Sequence, residues 1–183
     1  MKYALPVAYH KDHKTLACSK DYFFPIHVGH INSKIKLDIQ PDDEGDNISN
    51  LNDKISEITA MYWGWKHLDA DYYGMFHYRR YFRVEESIQE KVKQFLRKVL
   101  DREFRYMYEV NSIDAFTKEV KKFSKKLPIY LNKADIVVPF PKSLKNGITI
   151  ETHYLDFGLP EDWCLLKEVI EKNNLRIKHF LNK

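Results

Sequence analysis

Residues 71–82 read Asp-Tyr-Tyr-Gly-Met-Phe-His-Tyr-Arg-Arg-Tyr-Phe, an aromatic run that closes on His77, Tyr78, Arg79 and Arg80. The part from Tyr72 to Phe76 has the composition of a buried strand. Such a strand delivers one imidazole, one phenol and two guanidiniums to its carboxyl end, where open α/β sheets bind their ligands. A guanidinium offers two parallel, charge-assisted hydrogen bonds to phosphate oxygens. The chemistry suggested is therefore anion binding, with a diphosphate as a natural occupant. The competing reading is that Arg79 and Arg80 pair with surface carboxylates. Alternate residues of an extended strand face opposite ways, so one arginine is expected to meet the ligand while the other braces the fold. Arg79 shares a face with His77 in that register and is the better placed of the two.

The elements that would position these groups can be read from the same sequence. Tyr3–Tyr9 is a short apolar strand, with Pro6 arguing for an edge or early position, and it ends at His10 and Lys11. Residues 22–28 form a second aromatic stretch broken by Pro25, and residues 38–47 an acidic loop containing Gly45. Ser49 or Asn50 can cap a helix over 51–68, in which Leu51, Ile55, Ile58, Tyr62 and Trp65 form an apolar stripe expected to pack on the sheet. Ile88, Val92, Phe95, Leu96, Val99 and Leu100 share a second helical face, and Ile113, Phe116, Val120 and Phe123 a third. The polar sides of these two helices are mostly Lys, Arg and Glu, which reads as a solvated face, with contact to anionic lipid as the alternative. Residues 134–139 resemble another buried strand, closed by Pro139 and Pro141 and followed by a loop over 142–147. A last helix over 161–172 turns Trp163, Leu166, Val169 and Ile170 inward, and the tail from Asn173 is polar. Strands alternating with helices predict an α/β fold with a mainly parallel sheet flanked by helices, in which 3–9, 72–78 and 134–138 are neighbouring central strands. The strand count is low for a complete sheet.

Length and composition narrow the class. The 183 residues suit one domain, with a helical insertion at about 87–127. Twelve Tyr, eleven Phe and three Trp suit ring-shaped ligands such as sugars, although most such side chains serve the core. The net charge of +4 fits a polyanionic small ligand or a membrane-surface neighbourhood, and the basic residues are offset by Glu on the helices, which disfavours nucleic acid. Cys18 and Cys164 form no CxxC pair, so neither a disulfide framework nor a zinc site is implied and a cytoplasmic setting is expected. His10, His27 and His30 lack the further ligands of a metal set, and residues 42–46 lack the spacing of a calcium loop. No segment has the pattern of a signal peptide or a membrane span.

Several blocks occur in order: His10-Lys11, the run 25–29, Gly45-Asp-Asn-Ile-Ser49, Glu57-Ile-Thr59, Tyr62-Trp-Gly-Trp-Lys66, and 74–82 with His-Tyr-Arg-Arg. Together they resemble a bacterial domain family of formally unknown function, found in capsular, exopolysaccharide and lipopolysaccharide gene clusters and described as glycosyltransferase-like. The resemblance spans roughly residues 1–170. It implies a GT-A-like nucleotide-diphospho-sugar transferase fold and transfer of a sugar onto a growing surface glycan. It also implies that an aromatic-rich acceptor segment would follow, so that a chain stopping at Lys183 looks truncated, and that Ser56 stands where the family has Cys.

On that basis the chemistry can be distributed. Sugar transfer requires a stabilised leaving diphosphate, a held nucleotide and a base for the acceptor hydroxyl. His77, Arg79 and Arg80 are candidates for the diphosphate, in place of the Asp-x-Asp and divalent ion of many GT-A enzymes. No metal ligand set is evident; manganese or magnesium, held in part by His77, is the alternative. Asp69 and Asp71 precede their strand and sit at the wrong end for a ligand, where they serve a turn. His10, Lys11, Asp46 and Asn47 are the nucleotide candidates, although Asp46 and Asn47 equally suit the turn leading into the helix. Glu151, His153 and Asp156 are the base candidates, with Glu151 and His153 on one side of an extended segment; Asp162 also competes but suits a helix cap. Trp63 and Trp65 read as packing residues. The expected partners are a nucleotide-diphospho-sugar donor, a glycan or lipid-linked glycan acceptor, and the inner face of a membrane at its periphery. The alternative function is an inactive, truncated domain that binds nucleotide sugars without transfer.

Overall fold

The computed structural model of the chain describes residues 1–14, 22–82, 88–99, 112–138 and 148–173. Cys18, Leu100, Pro139, Pro141, the 142–147 loop and the tail from 174 lie outside these. The described residues belong to two compact units, 1–139 and 140–183.

The first unit is built on five strands: β1 (Tyr3–Tyr9), β2 (Phe23–His27), β3 (Gln40–Pro41), β4 (Tyr72–Tyr73) and β5 (Phe76–His77). They lie in the order β3-β2-β1-β4, with β5 also paired to β1, and every ladder is parallel. β1 is buried from Ala4 to Tyr9, as a strand covered on both faces must be. It is central, as expected for 3–9, and Pro6 does not make it an edge strand. Leu5 donates toward β2, to the Tyr22 carbonyl, whereas the Ala4 and Ala8 carbonyls accept from Gly74 and Tyr78 on the other side. Pro6 therefore turns its missing N–H toward the gap between β4 and β5, where no ladder bond is needed. The expected 72–78 strand is real but split there into two short pieces.

Helices cover both faces of the sheet. Between β3 and β4 run α1 (Asn52–Ile55) and α2 (Ile58–His67), preceded by a 3₁₀ turn at Ser49–Leu51. The single helix expected over 51–68 is broken at Ser56, whose φ of 52° is left-handed and whose carbonyl is capped by the Asn52 amide at 2.7 Å. The break rephases the helix, and its packing face differs from the expected stripe. Ile58 and Trp65 are 50% and 57% exposed, while Thr59, Ala60, Trp63 and Gly64 are buried. Small residues win because they let the backbone approach the sheet: a Cβ on Gly64 would lie 2.4 Å from Cγ of Pro6. Ala60 and Trp63 join Ala8, Ile26 and Val28 in one apolar layer.

The opposite face carries α4 (Ile113–Leu131), which follows α3 (Ile88–Val99) and starts on a Ser112 cap to the Ala115 N–H. Val120, Phe123 and Leu127 of α4 pack on Leu5, Val7, Tyr9, Phe23, Phe76 and Tyr78, with Phe116 at the margin. The expected strand at 134–138 does not form. These residues follow α4 without a ladder partner among the described residues, and Ile136 and Val138 are 72% and 63% exposed. The first unit is thus an α/β layer structure with a parallel sheet flanked by helices.

The second unit contains α5 (Ile150–Leu155) and α6 (Pro160–Lys172). Thr149 and Thr152 form a reciprocal capping box that starts α5, and Pro160 occupies the first turn of α6, where a missing N–H costs nothing. Trp163 and Ile170 are buried as expected, whereas Leu166 and Val169 are exposed.

Candidate anion site at the strand ends

The order of the strands locates a crevice before any side chain is considered. From β1 the chain moves to β2 and β3 on one side, then returns through α2 to β4 and β5 on the other. The carboxyl end of β1 is therefore a topological switch point, the place where open parallel sheets bind ligands. His10 and Lys11 leave β1 there, and His77 to Arg80 leave β5 beside them.

Tyr78 anchors the cluster. It is fully buried, and charged and aromatic groups gather on its ring. The His10 and His13 rings approach edge-on at 5.1 and 5.0 Å. The Arg79 guanidinium carbon lies 5.1 Å from the ring centroid and the Lys11 ammonium 6.0 Å, both within cation–π range. His10 and His77 have their rings 6.2 Å apart. Among the described residues neither Lys11 nor Arg79 has a carboxylate ion-pair partner.

The strand ends at His77 in a tight turn, because the Arg80 N–H donates back to the His77 carbonyl at 2.8 Å. The alternation that put Arg79 on the face of His77 thus gives way to turn geometry, and both arginines follow the strand with exposed side chains. His77 Nδ1 accepts the Arg79 N–H at 3.2 Å, which places the proton of the neutral ring on Nε2, facing Glu57 Oε1 at 3.5 Å. Glu57 begins α2, and its carboxyl is held below the usual range, first by the Ser56 hydroxyl and then by its own N–H. His77 is pushed below 6.5, chiefly by burial and against the pull of Glu57. His10 and His13 are lowered first by burial and then by neighbouring cations, Lys11 and Lys14 respectively, with Arg79 contributing to both. The field at these strand ends is positive, which suits an anion.

Asp46 and Asn47 are engaged elsewhere. The Asp46 carboxylate accepts the Tyr62 hydroxyl at 2.9 Å and pairs with Lys66 at 2.9 Å, while its carbonyl meets His67 Nε2 at 3.0 Å. The Asn47 amide bonds the Asp43 and Gly45 carbonyls, and its oxygen accepts the Ser49 N–H. These bonds fix the turn leading into the helices. Asp69 and Asp71 bond Lys2, at the amino end of β1. Glu151, His153 and Asp156 lie in the second unit. The segment expected to be extended is helical, so Glu151 and His153 do not share a face. Glu151 pairs with Lys167 at 3.0 Å, His153 packs on Phe157, and Asp156 ends α5.

The roles of Glu57 and Asp42 and the burial of His27 do not show in the sequence. Asp42 has no exposed surface, and its carboxylate accepts from Gly29 N–H at 2.9 Å, His30 N–H at 3.1 Å and Ser49 Oγ at 2.5 Å. It ties the turn after β2, where Gly29 has a φ of 63°, to the turn after β3. A buried carboxylate in an acidic loop looks like its exposed neighbours in sequence, and the nearby left-handed Gly29 is the usable signal.

His27 is 1% exposed, and neither ring nitrogen has a hydrogen-bond partner among the described residues. Burial is the main cause that lowers its pKa, followed by His30, against Asp42 and Asp43. The unfolded chain protonates near 6.5 and the folded state only at lower pH, so stability falls as pH drops below about 6.5. Replacing His27 with phenylalanine strands no partner. His27→Phe is expected to keep the urea midpoint near neutrality and to reduce its decline between about pH 7.5 and 5.5. An unchanged decline would place the titration elsewhere.

Among the described residues no group of three His, Cys, Asp or Glu stands together as a divalent-ion site would, and the Nδ1 lone pair of His77 accepts the Arg79 N–H. A separate cleft lined by Tyr3, Tyr72, Met75, Phe82, Leu131 and Ile136 is largely apolar and does not include the cationic cluster.

None of the curated proteins matches the chain. A solved structure described as an apo form of the bifunctional glycosyltransferase WbbM is 38% identical, with a TM-score of 0.43. The match covers 48% of this chain and 15% of that one. The model of the family described as a domain of unknown function, DUF4422, matches residues 5–183, and the chain belongs to that family.

Proposed function

We propose that the chain is a glycosyltransferase-like domain with a GT-A-type site, transferring sugar from a nucleotide-diphospho-sugar to a cell-surface polysaccharide or lipopolysaccharide glycan at the cytoplasmic side of a membrane. The observation that carries this reading is the convergence of His10, Lys11 and Arg79 on the Tyr78 ring at a switch point, without a carboxylate for Lys11 or Arg79 among the described residues. In the reaction the bond from the sugar anomeric carbon to the diphosphate oxygen breaks, and a bond from the acceptor oxygen forms. The hydroxyl proton passes to a base, and the diphosphate departs with the bonding pair. Lys11, Arg79 and Arg80 stabilise the growing charge on the diphosphate, which is where fixed cations lower a barrier most. His77 orients the Arg79 turn and is itself held by Glu57. Asp46 and Asn47 act by shaping the loop. Glu151, His153 and Asp156 remain the base candidates; conversion of Glu151 to Gln or Asp156 to Asn should abolish transfer without weakening donor binding if either is the base.

The test is a thermal-shift panel of UDP-, GDP- and dTDP-sugars, each in EDTA and in manganese. A ligand at a hundredfold excess over its Kd stabilises by about 2.7 kcal/mol, so a bound donor raises the melting point measurably. A shift with at least one donor supports the reading, and donor turnover onto glycan separates a transferase from an inactive binding domain. No shift with any donor overturns it, and a shift with oligonucleotide alone would point to nucleic acid.

A further inference from the structure

The helix α3 contributes no buried apolar residue to the core. Ile88, Val92, Phe95, Leu96 and Val99 fall on one stripe, and they are 82%, 52%, 65%, 51% and 65% exposed. On α4 the equivalent stripe is covered, with Val120, Phe123 and Leu127 at 5% exposure or less. Five neighbouring large apolar side chains in water form a patch that soluble surfaces avoid unless something covers it.

Charge indicates what that is. Within its twelve residues α3 has four basic residues, Lys91, Lys93, Arg97 and Lys98, against the single carboxylate of Glu90. A second copy would bring two like-charged helices together, which like-charge repulsion opposes. A basic helix with a full apolar stripe is instead the pattern of a segment lying in a membrane interface. No described helix is long and apolar enough to cross a membrane.

We propose that α3 is a membrane-interface helix, which lays Ile88, Val92, Phe95, Leu96 and Val99 into the acyl boundary of an anionic leaflet, drawn there by the net positive charge of its sequence. This goes beyond the diphosphate site and stands independently of it.

The experiment is sedimentation of the full chain with vesicles of phosphatidylcholine alone and of equal parts phosphatidylcholine and phosphatidylglycerol. Binding is expected on the anionic vesicles, at least roughly tenfold tighter than on the neutral ones and weaker at high salt. The triple variant Val92→Ser, Phe95→Ser, Leu96→Ser should lose at least roughly tenfold in vesicle affinity. Its melting point should be retained, because these side chains are already exposed. UDP binding to the same variant should be unchanged, so a failure here is distinct from a failure of the transferase reading. Absence of binding to either vesicle overturns the proposal. So does a wild-type dimer that the variant makes monomeric in light scattering while vesicles go unbound, which would assign the stripe to a second copy.

Discussion

Asp42→Ala is expected to be the most destabilising single substitution in the first unit, lowering stability by about 3 kcal/mol or more. The carboxylate is fully buried and accepts two backbone N–H groups and the Ser49 hydroxyl. Alanine would strand all three, and each buried donor left without an acceptor costs about 1–3 kcal/mol. The expected loss is about 3 kcal/mol or more, against a typical total stability of about 5–15 kcal/mol. Asp42→Asn discriminates the cause. Its single oxygen can replace Oδ1, which receives His30 and Ser49, but its NH₂ would then face the Gly29 N–H, donor against donor. Asparagine should cost about 1–3 kcal/mol, between wild type and alanine. Urea unfolding of the three proteins measures the order. Asparagine and alanine variants as stable as wild type would show that the turns after β2 and β3 are held by something else.

Arg79→Lys is expected to weaken nucleotide-diphosphate binding by roughly ten- to a hundredfold, which is the loss of a charge-assisted hydrogen bond worth about 1.5–3 kcal/mol. Lysine keeps the charge but lacks the planar fork that grips two phosphate oxygens at once. It also gives up the guanidinium's cation–π contact with Tyr78, whose ring centroid lies 5.1 Å from the guanidinium carbon. Arg80→Lys should cost less, because its backbone closes the turn whatever its side chain does and its charge lies in the field of Glu57. Titration of UDP into the three proteins gives the ranking. Equal affinities would remove arginine from the site.

The parts of the fold that showed in sequence are those where burial alone decides. β1 is buried on both sides and reads as an apolar run, and β2 is legible despite Pro25. The packing face of α2 did not show, because a stripe drawn through the largest apolar residues crosses the break at Ser56. The sheet instead selected Ala60 and Gly64, whose small size lets the helix sit against Pro6. Residues 134–138 have the composition of a strand, but a strand also requires a free ladder edge in register, which no local pattern encodes. At the site, His10, Lys11, His77, Arg79 and Arg80 could be named because they end or follow strands. Glu57 could not, because its role depends on α2 starting beside the end of β5. Asp46 and Asn47 have residue types that suit a ligand and also hold hydrogen bonds that shape the turn before the helices, a second use that their sequence allows equally.

The switch-point cations are expected to bind a nucleotide diphosphate directly. The most direct measurement is calorimetric titration of UDP and GDP into the wild-type chain, first in EDTA and then in manganese. Saturable binding in EDTA, weakened by salt and little changed by manganese, is the predicted result. Binding that appears only with manganese, or no binding in either buffer, would contradict it.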